Sequence, residues 1–544
     1  MAWQGENFGS ALKAVAQAIE PSRPALIHGD RIVNWGEFDA LTDAIAVGLI
    51  AQGLKPGDVA GQMQRNAPEY LITFFGCAKA GVTPVNINYH YKRREMGDIF
   101  ARFGLKALFV EPDLAEDAAA SMPEGALAPF VAQPGDARWE ALCATPVPEE
   151  FAPCDDVDRQ FFMATGGTTG LPKAVMWPYR DAWFALNMPS WQVDPALPPH
   201  VCASLEEHLG FVKQNGPDNP DSTSPVLCLC PLMHGTAQYT ALRAVLKGEA
   251  VATMPGIKFD ANAAIDAIRD HGIRSAVIVG DAFAIPIVEA LEARSDAAEA
   301  IASLKVIGSS GAIFSMSLKQ RLLAVNPNMM ISDVLGSSES GGTAVRTTTK
   351  DGTLGGGDFV ASPGRELALV DEKLELIPPG AERVGIVART GPLPLGYLGE
   401  DAKNAETFPI IGGRRYLLTG DRARWGADGS LDFIGRDNMC INTGGEKVFP
   451  EEVEEVLLEH RDVHDARIVS LPDPRFGRKI VAVVQPERDR SGIEAALDIY
   501  VRDSLAPYKV PRLYLFTSES LRLNNGKPDY KAAQAIADAH AEQA

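Results

Sequence analysis

The sequence predicts an α/β protein: a large N-terminal domain of layered α/β subdomains with a β-rich subdomain, followed by a small α+β C-terminal domain. Three observations predict it. Short apolar runs bounded by turn residues alternate with amphipathic helical stretches as far as about residue 340, the pattern of a largely parallel sheet covered by helices. Residues 343 to 435 are richer in glycine and β-type residues, with turns at "PPG", "GG" and "ADG", which predicts an antiparallel piece. After "GRDN" (435–438) the alternation begins again over about a hundred residues. A chain of 544 residues exceeds what one hydrophobic core supports.

The elements follow in order. "ALTDAIAVGLIAQGLKPGD" (40–58) is an amphipathic helix stopped by glycine and a turn. "PVNINYHYK" (84–92) and "KALFVE" (106–111) read as strands. The run from 187 to 225, rich in Pro, Asn and Asp, reads as a surface excursion. Four short apolar strands follow: "EAVATM" (249–254), "SAVIVG" (275–280), "LKVIGSS" (304–310) and "MMISDVLGSS" (329–338). Helical stretches such as "ANAAIDAIRDHG" (261–272) and "MSLKQRLLAV" (316–325) separate them. In the C-terminal part, "PEEVEEVLLEH" (450–460) opens with proline at the first helical position and acids in the first turn. The strands "ARIVSL", "KIVAVVQPE" and "RLYLF" and the helix "IEAALDIYVRDSL" complete it.

Composition excludes several functions. The formal net charge of −20 argues against nucleic acid as a partner, which needs a basic face, and against an anionic membrane surface. No run of about 18 apolar residues suggests a membrane span, and the first residues do not read as a secretory signal. Seven scattered cysteines fit a reducing, cytoplasmic setting. Cys228 and Cys230, in "VLCLCPL", read as core residues, and the nine histidines show no metal-ligand spacing.

"ATGGTTGLPKAV" (164–175) suits neither a helix nor a strand and reads as an anion-holding loop. Successive backbone N–H groups and threonine hydroxyls can converge on phosphate oxygens, and Lys173 adds a positive charge. It is not a Walker A loop: Lys173 follows Pro172, and Ala174 stands where a hydroxyl residue should follow the lysine.

The stretch resembles the phosphate loop of the adenylate-forming superfamily of acyl-CoA synthetases, luciferases and peptide-synthetase adenylation domains. The resemblance recurs in order at "SSGAIF" (309–314), "DVLGSSES" (333–340), "TGD" (419–421), "GRDNMCINTGGEKVFPEEVEE" (435–455), "APYKVPR" (506–512) and "NNGK" (524–527). It covers nearly the full length and looks most like bacterial fatty-acyl and steroid-side-chain CoA ligases. It implies a carboxylic acid, ATP and Mg²⁺ as reactants of a first step giving acyl-AMP and pyrophosphate. CoA then takes the acyl group. An acyl-AMP ligase serving a carrier protein, or a non-catalytic nucleotide-binding homologue, is the alternative.

The same resemblance assigns residues. Triphosphate contacts fall on Thr165, Gly166, Gly167, Thr168, Thr169 and Lys173. Gly311, Ala312 and Ile313 line the adenine, Ser338 bonds the α-phosphate, and Gly336 and Ser337 belong to the same nucleotide-binding turn. Glu339 holds Mg²⁺, a hard cation that prefers oxygen ligands. Asp421 and Arg436 meet the ribose. Lys527 is the catalytic lysine, with Lys531 as an alternative cation, and His234 lies near the acyl pocket. Gly444 and Gly445 flank the pantetheine. The division falls at 1–436 and 437–544, with a hinge near 436–438. The absence of an acid from 231 to 240 argues against an amino-acid substrate. The chain departs from the family pattern at Tyr179, Leu335, Asn438, Leu521 and Leu523. A homodimer is an expectation by analogy.

Overall fold

A computed structural model describes residues 5–165, 172–186, 190–191, 200–214, 224–353, 359–362, 366–381, 383–426, 431–436, 439, 441–443, 446–473, 477–487, 492–505, 507–523 and 526–543. Four larger sheets organise these residues. In the first, the strands Pro24–His28, Val251–Thr253, Val226–Cys228, Ser275–Ile278, Val306–Ser310 and Met330–Ser337 lie side by side and all pair parallel. Antiparallel strands finish its two edges, among them Arg31–Asn34 and Gly341–Thr349. In the second, Gln160–Thr165, Thr83–Asn86, Val59–Met63 and Leu105–Val110 pair parallel. The hairpin partner Lys173–Pro178 carries this sheet on to Gly396–Tyr397.

Helices fill the space against these sheets because their sequences leave little polar surface. Pro68–Lys79 is buried at every position, and Gly235–Leu246 buries seven residues. Phe8, Trp35, Phe75, Trp177 and Trp183 belong to one core that joins both sheets. At the helix Phe8–Ala18, Asn7 caps the first turn by accepting from Gly9 and Ser10 N–H. Gly9 lets that helix meet Pro68–Lys79 closely: a Cβ there would lie 2.5 Å from the Lys79 nitrogen.

The third sheet is antiparallel throughout, Leu376–Ile377, Glu366–Val370, Gly385–Thr390, Leu417–Trp425 and Leu431–Arg436, as the glycine-rich region predicts. The fourth, Val463–Asp473, Gly477–Pro486 and Leu513–Phe516, has helices packed on it. Val453, Leu457, Ile468 and Leu497 share a core of their own there. No helix among the described residues is long and apolar enough to cross a membrane.

The structure corrects three expectations. "PVNINYHYK" is a strand only over Thr83–Asn86. Beyond it Asn88 accepts from the His90 N–H, a side-chain turn that ends the ladder. The run 187–225 is not merely a surface excursion. Its helix Leu205–Gln214 packs on Phe8–Ala18, with His208 fully buried and bonded to the Leu246 carbonyl at 2.7 Å. The ends of "ATGGTTGLPKAV" are strand rather than loop, since Ala164 and Thr165 pair with Ala174 and Lys173. Cys228 and Cys230 are buried core residues, as read from the sequence.

Candidate active site

Four neighbouring parallel strands of the first sheet release their chains at the same edge. Val226–Cys228 leads to the turn carrying His234, and Ser275–Ile278 leads to Gly280 and Asp281. Val306–Ser310 leads to Gly311, Ala312 and Ile313, and Met330–Ser337 leads to Ser338 and Glu339. Open α/β sheets bind ligands outside the carboxyl ends of their strands.

Close backbone approach holds these turns together. Gly280, at φ 52°, would place a Cβ 2.1 Å from the Ile313 carbonyl oxygen, so only glycine fits. Gly336 faces the Gly341 carbonyl in the same way, at 2.2 Å. A Cβ on Gly311 would lie 3.9 Å from both Thr236 Oγ1 and Val279 Cγ1, and one on Gly235 would lie 3.7 Å from Ser338 Oγ. The turns around His234, Gly280 and Gly311 are therefore one neighbourhood.

Glu339 is oriented by contacts the sequence did not reveal. Tyr397 Oη donates to Glu339 Oε1 at 2.8 Å. The carbonyl of Ser338 accepts from Trp177 Nε1 at 2.9 Å and from Tyr239 Oη at 2.8 Å. Ser337 Oγ accepts the Glu339 and Ser340 N–H groups, and Ser340 Oγ accepts the Ser337 N–H, so the turn is closed on itself. Lys173 Nζ lies over the Tyr397 ring, 5.6 Å from its centroid. Burial, then the nearby Glu339 charge, holds the Tyr397 phenol well above its ordinary pKa, so it stays a donor. Glu339 is half-buried, and its carboxylate is the one charged group of this turn that could offer oxygen to a hard divalent cation.

Thr165 and Lys173 stand opposite one another in the second sheet, and Thr165 Oγ1 donates to the Lys173 carbonyl at 3.4 Å. Gly166, Gly167, Thr168 and Thr169, which the sequence assigns to the triphosphate, lie outside the described residues, as do Gly444, Gly445 and Asn438. Asn86 ties the two sheets at this point. Its amide donates to the carbonyls of Ala164 and Met233, and its oxygen accepts the Ala164 N–H. Asn66 does the same for the His234 turn, donating to the Cys230 carbonyl and accepting from Leu232 N–H.

His234 opens the helix Gly235–Leu246 and has a buried Nε2 without a hydrogen-bond partner among the described residues. Its pKa is pushed down to about 4, by burial first and then by the Lys527 and His90 charges. Lys527 is itself exposed and follows Gly526, whose Cβ would lie 2.7 Å from Ala282 Cβ. Asp421 is buried in the third sheet, opposite Arg436 in register, and its N–H is held by Thr419 Oγ1. Lys531 stands on the helix Tyr530–Gln543.

The departures from the family pattern acquire physical roles. Tyr179 is buried in the core, 4.8 Å from the Phe8 ring centroid and 5.7 Å from that of Phe161. Leu521 fills a core between the fourth sheet and its last helix, while Leu523 is exposed. Leu335 packs beside the core of the third sheet. The structure also brings together a group that sequence spacing did not suggest: ligand atoms of His200, Cys202 and Glu207 lie within 4.8 Å of one another. There Glu207 already accepts from the Ala203 N–H and contacts His200 at 2.8 Å.

The AMP-binding enzyme family model matches residues 13–398, and the model of the AMP-binding enzyme C-terminal domain matches 452–527. The chain belongs to the AMP-binding enzyme family. It is 34% identical over 540 residues to a medium/long-chain-fatty-acid–CoA/3-oxocholest-4-en-26-oate–CoA ligase of Mycolicibacterium smegmatis, covering 95% of this chain and 94% of that one. A 3-oxocholest-4-en-26-oate–CoA ligase of Rhodococcus rhodochrous is also 34% identical, covering 96% of this chain and 94% of its own length. The fold is shared with the anthranilate CoA ligase AuaEII solved in complex with anthranoyl-AMP, with a TM-score of 0.79 at 20% identity, over 98% of each chain. Within its family the chain is an adenylate-forming acyl-CoA synthetase, an AMP-forming acid–thiol ligase.

Proposed function

We propose that the chain activates a bulky hydrophobic carboxylic acid, a medium-to-long fatty acid or a steroid side-chain acid, and delivers it to CoA in the cytoplasm. The observation that carries the site is the convergence of the His234, Asp281, Ile313 and Glu339 turns at the carboxyl edge of four adjacent parallel strands. The names of the full-length relatives support the acid class. No acidic residue between 231 and 240 is placed to pair an amine.

In the first step the acid's carboxylate attacks the α-phosphorus of ATP and pyrophosphate leaves. Two anions must meet, so the residues' first task is to screen charge. Lys173 and the 166–169 loop take the outgoing phosphates. Lys527 sits between the carboxylate and the α-phosphate, where charge builds in the transition state. Gly311, Ala312 and Ile313 border the adenine, with Gly336, Ser337 and Ser338 beneath the α-phosphate. Asp421 accepts from the ribose hydroxyls, with Arg436 beside it. Glu339 would hold Mg²⁺, which when bound offsets phosphate charge. His234 stays neutral beside Lys527 and shapes the end of the acyl pocket. In the second step CoA sulfur attacks the acyl carbonyl and AMP leaves, with Gly444 and Gly445 flanking the pantetheine. The change between steps is a rotation of residues 437–544 against 1–436 about the 436–438 hinge.

Purified protein with MgATP, CoA and an equimolar panel of fatty, aryl and steroid side-chain acids tests this by mass spectrometry. Fatty or steroid acyl-CoA should dominate; exclusive formation of an aryl-CoA would overturn the acid assignment.

A further inference from the structure

The turn carrying Lys527 is braced by Arg522. Leu523 N–H donates to the Lys527 carbonyl and Gly526 N–H to the Leu523 carbonyl, both at 2.8 Å. Arg522 Nη1 reaches the Gly526 carbonyl at 3.3 Å, so the guanidinium spans the turn. Its Nε and Nη2 are held by the Asp465 carboxylate at 2.8 and 3.1 Å, and Asp465 is fixed in turn by Arg467. Arg522 thus has a rigid orientation set within the fourth sheet and its surroundings.

The other face of this guanidinium looks across to the first sheet. Arg522 Nη2 lies 3.9 Å from Asp281 Oδ2, and the Asp281 side chain is 2% exposed. Asp281 opens the helix Asp281–Glu292, and its Oδ1 accepts the Ser315 N–H at 2.8 Å. Its own N–H donates to the Ile313 carbonyl at 3.0 Å. The turn also touches this helix directly. Gly526, at φ 81°, would place a Cβ only 2.7 Å from Ala282 Cβ. Ile313 packs against the hydrophobic core of the C-terminal part. One small patch therefore joins the segment assigned to adenine, the first turn of a helix, and the lysine turn.

Asp281 sits there at a cost. Burial pushes its carboxyl up to about 6, the Asp465 charge adds to that, and Arg522 opposes both. A buried acid facing one cation across a movable contact is stabilised while the contact is closed and loses its partner when it opens.

We infer that Arg522 is a positioning residue that seats the Lys527 turn on the large domain through Asp281, favouring the arrangement in which Lys527 faces the carboxylate and α-phosphate. This rests on the reading of Lys527 as the catalytic lysine. The pair acts on the first half-reaction and must separate for the second, so its loss shifts the balance between them. Nothing is transferred to or from either residue.

The test uses D281N in the full-length protein, which removes the charge while keeping the acceptor for Ser315. ATP–pyrophosphate exchange should fall roughly tenfold, while acyl-CoA formation from supplied acyl-AMP stays within about twofold of wild type. Hydrogen–deuterium exchange should quicken together in peptides covering 281–285 and 521–528, with no change in the fourth-sheet core. R522K should keep more of the pyrophosphate exchange than R522Q. Unchanged deuterium uptake in both peptides of D281N would overturn the inference, as would an equal fall in both half-reactions. If wild-type protein performs neither half-reaction, the proposed function fails, and the deuterium result alone decides the docking role.

Discussion

Replacing Tyr397 by phenylalanine removes one oxygen from the site and leaves the ring in place. That oxygen donates to Glu339 Oε1 at 2.8 Å, and the tyrosine is 7% exposed, so water has little access to substitute for it. A hydrogen bond to a charged acceptor contributes about 1.5–3 kcal/mol. If the carboxylate must be held in place to receive the metal–nucleotide, that loss corresponds to roughly 10- to 100-fold in kcat/KM for MgATP. The ring still lies under Lys173 and still packs edge-on against Phe408 at 5.8 Å. Y397F, which loses one hydrogen bond but no packing, should therefore melt only slightly below wild type. Y397A also removes the ring, and truncating a buried aromatic costs about 3–5 kcal/mol of stability; it should melt well below wild type. The assay is ATP–pyrophosphate exchange over a Mg²⁺ titration, beside thermal melts of both variants. The predicted signature is a shift of the Mg²⁺ dependence to higher concentration in Y397F with little change in melting temperature. A Y397F protein with wild-type kcat/KM and wild-type Mg²⁺ dependence would refute the reasoning that Glu339 needs this donor.

Three further outcomes are expected. K527A should lower acyl-AMP formation by about 10²–10³ while sparing acyl-CoA formation from supplied acyl-AMP; an unaffected first step would remove Lys527 from the mechanism. His234 and His208 are both pushed down to about 4 by burial, so the unfolded chain binds their protons more readily. The stability each contributes is present above pH 6.5 and is lost as pH falls toward 4. Melting temperature should drop across that window, and removing the Lys527 charge should raise the His234 pKa, readable by histidine-selective NMR. G280A should cost more than about 2 kcal/mol in chemical denaturation, because its Cβ would meet the Ile313 carbonyl at 2.1 Å; a wild-type denaturation midpoint would contradict the packing described.

What could be read from sequence follows from where the information lies in the chain. The helix Met316–Val325 coincides with the stretch "MSLKQRLLAV", because local apolar spacing marks it. Four of the six parallel strands of the first sheet were legible as short apolar runs, and the antiparallel third sheet as glycine- and turn-rich sequence. The buried side of Leu205–Gln214 was not legible, because a helix with two acids and a lysine among ten residues gives a weak periodic signal. Site contacts between distant positions carried no local signal at all. Tyr397 and Glu339 are 58 residues apart, and Asn86 and Met233 are 147 apart. Their partners are set by strand order rather than by motif. Departures from the family pattern were visible as letters but not as roles: burial alone shows that Tyr179 and Leu521 are core residues.

The central claim is a two-step reaction through acyl-AMP, and single-turnover analysis tests it most directly. Wild-type protein is mixed with MgATP and a fatty or steroid side-chain acid in the absence of CoA, quenched, and the bound products are identified; CoA is then added to a second aliquot. The account predicts acyl-AMP and pyrophosphate in about equal amounts before CoA, and conversion of that acyl-AMP to acyl-CoA and AMP after it. Acyl-AMP that persists in the presence of CoA, or acyl-CoA formed with release of ADP and phosphate, would contradict it.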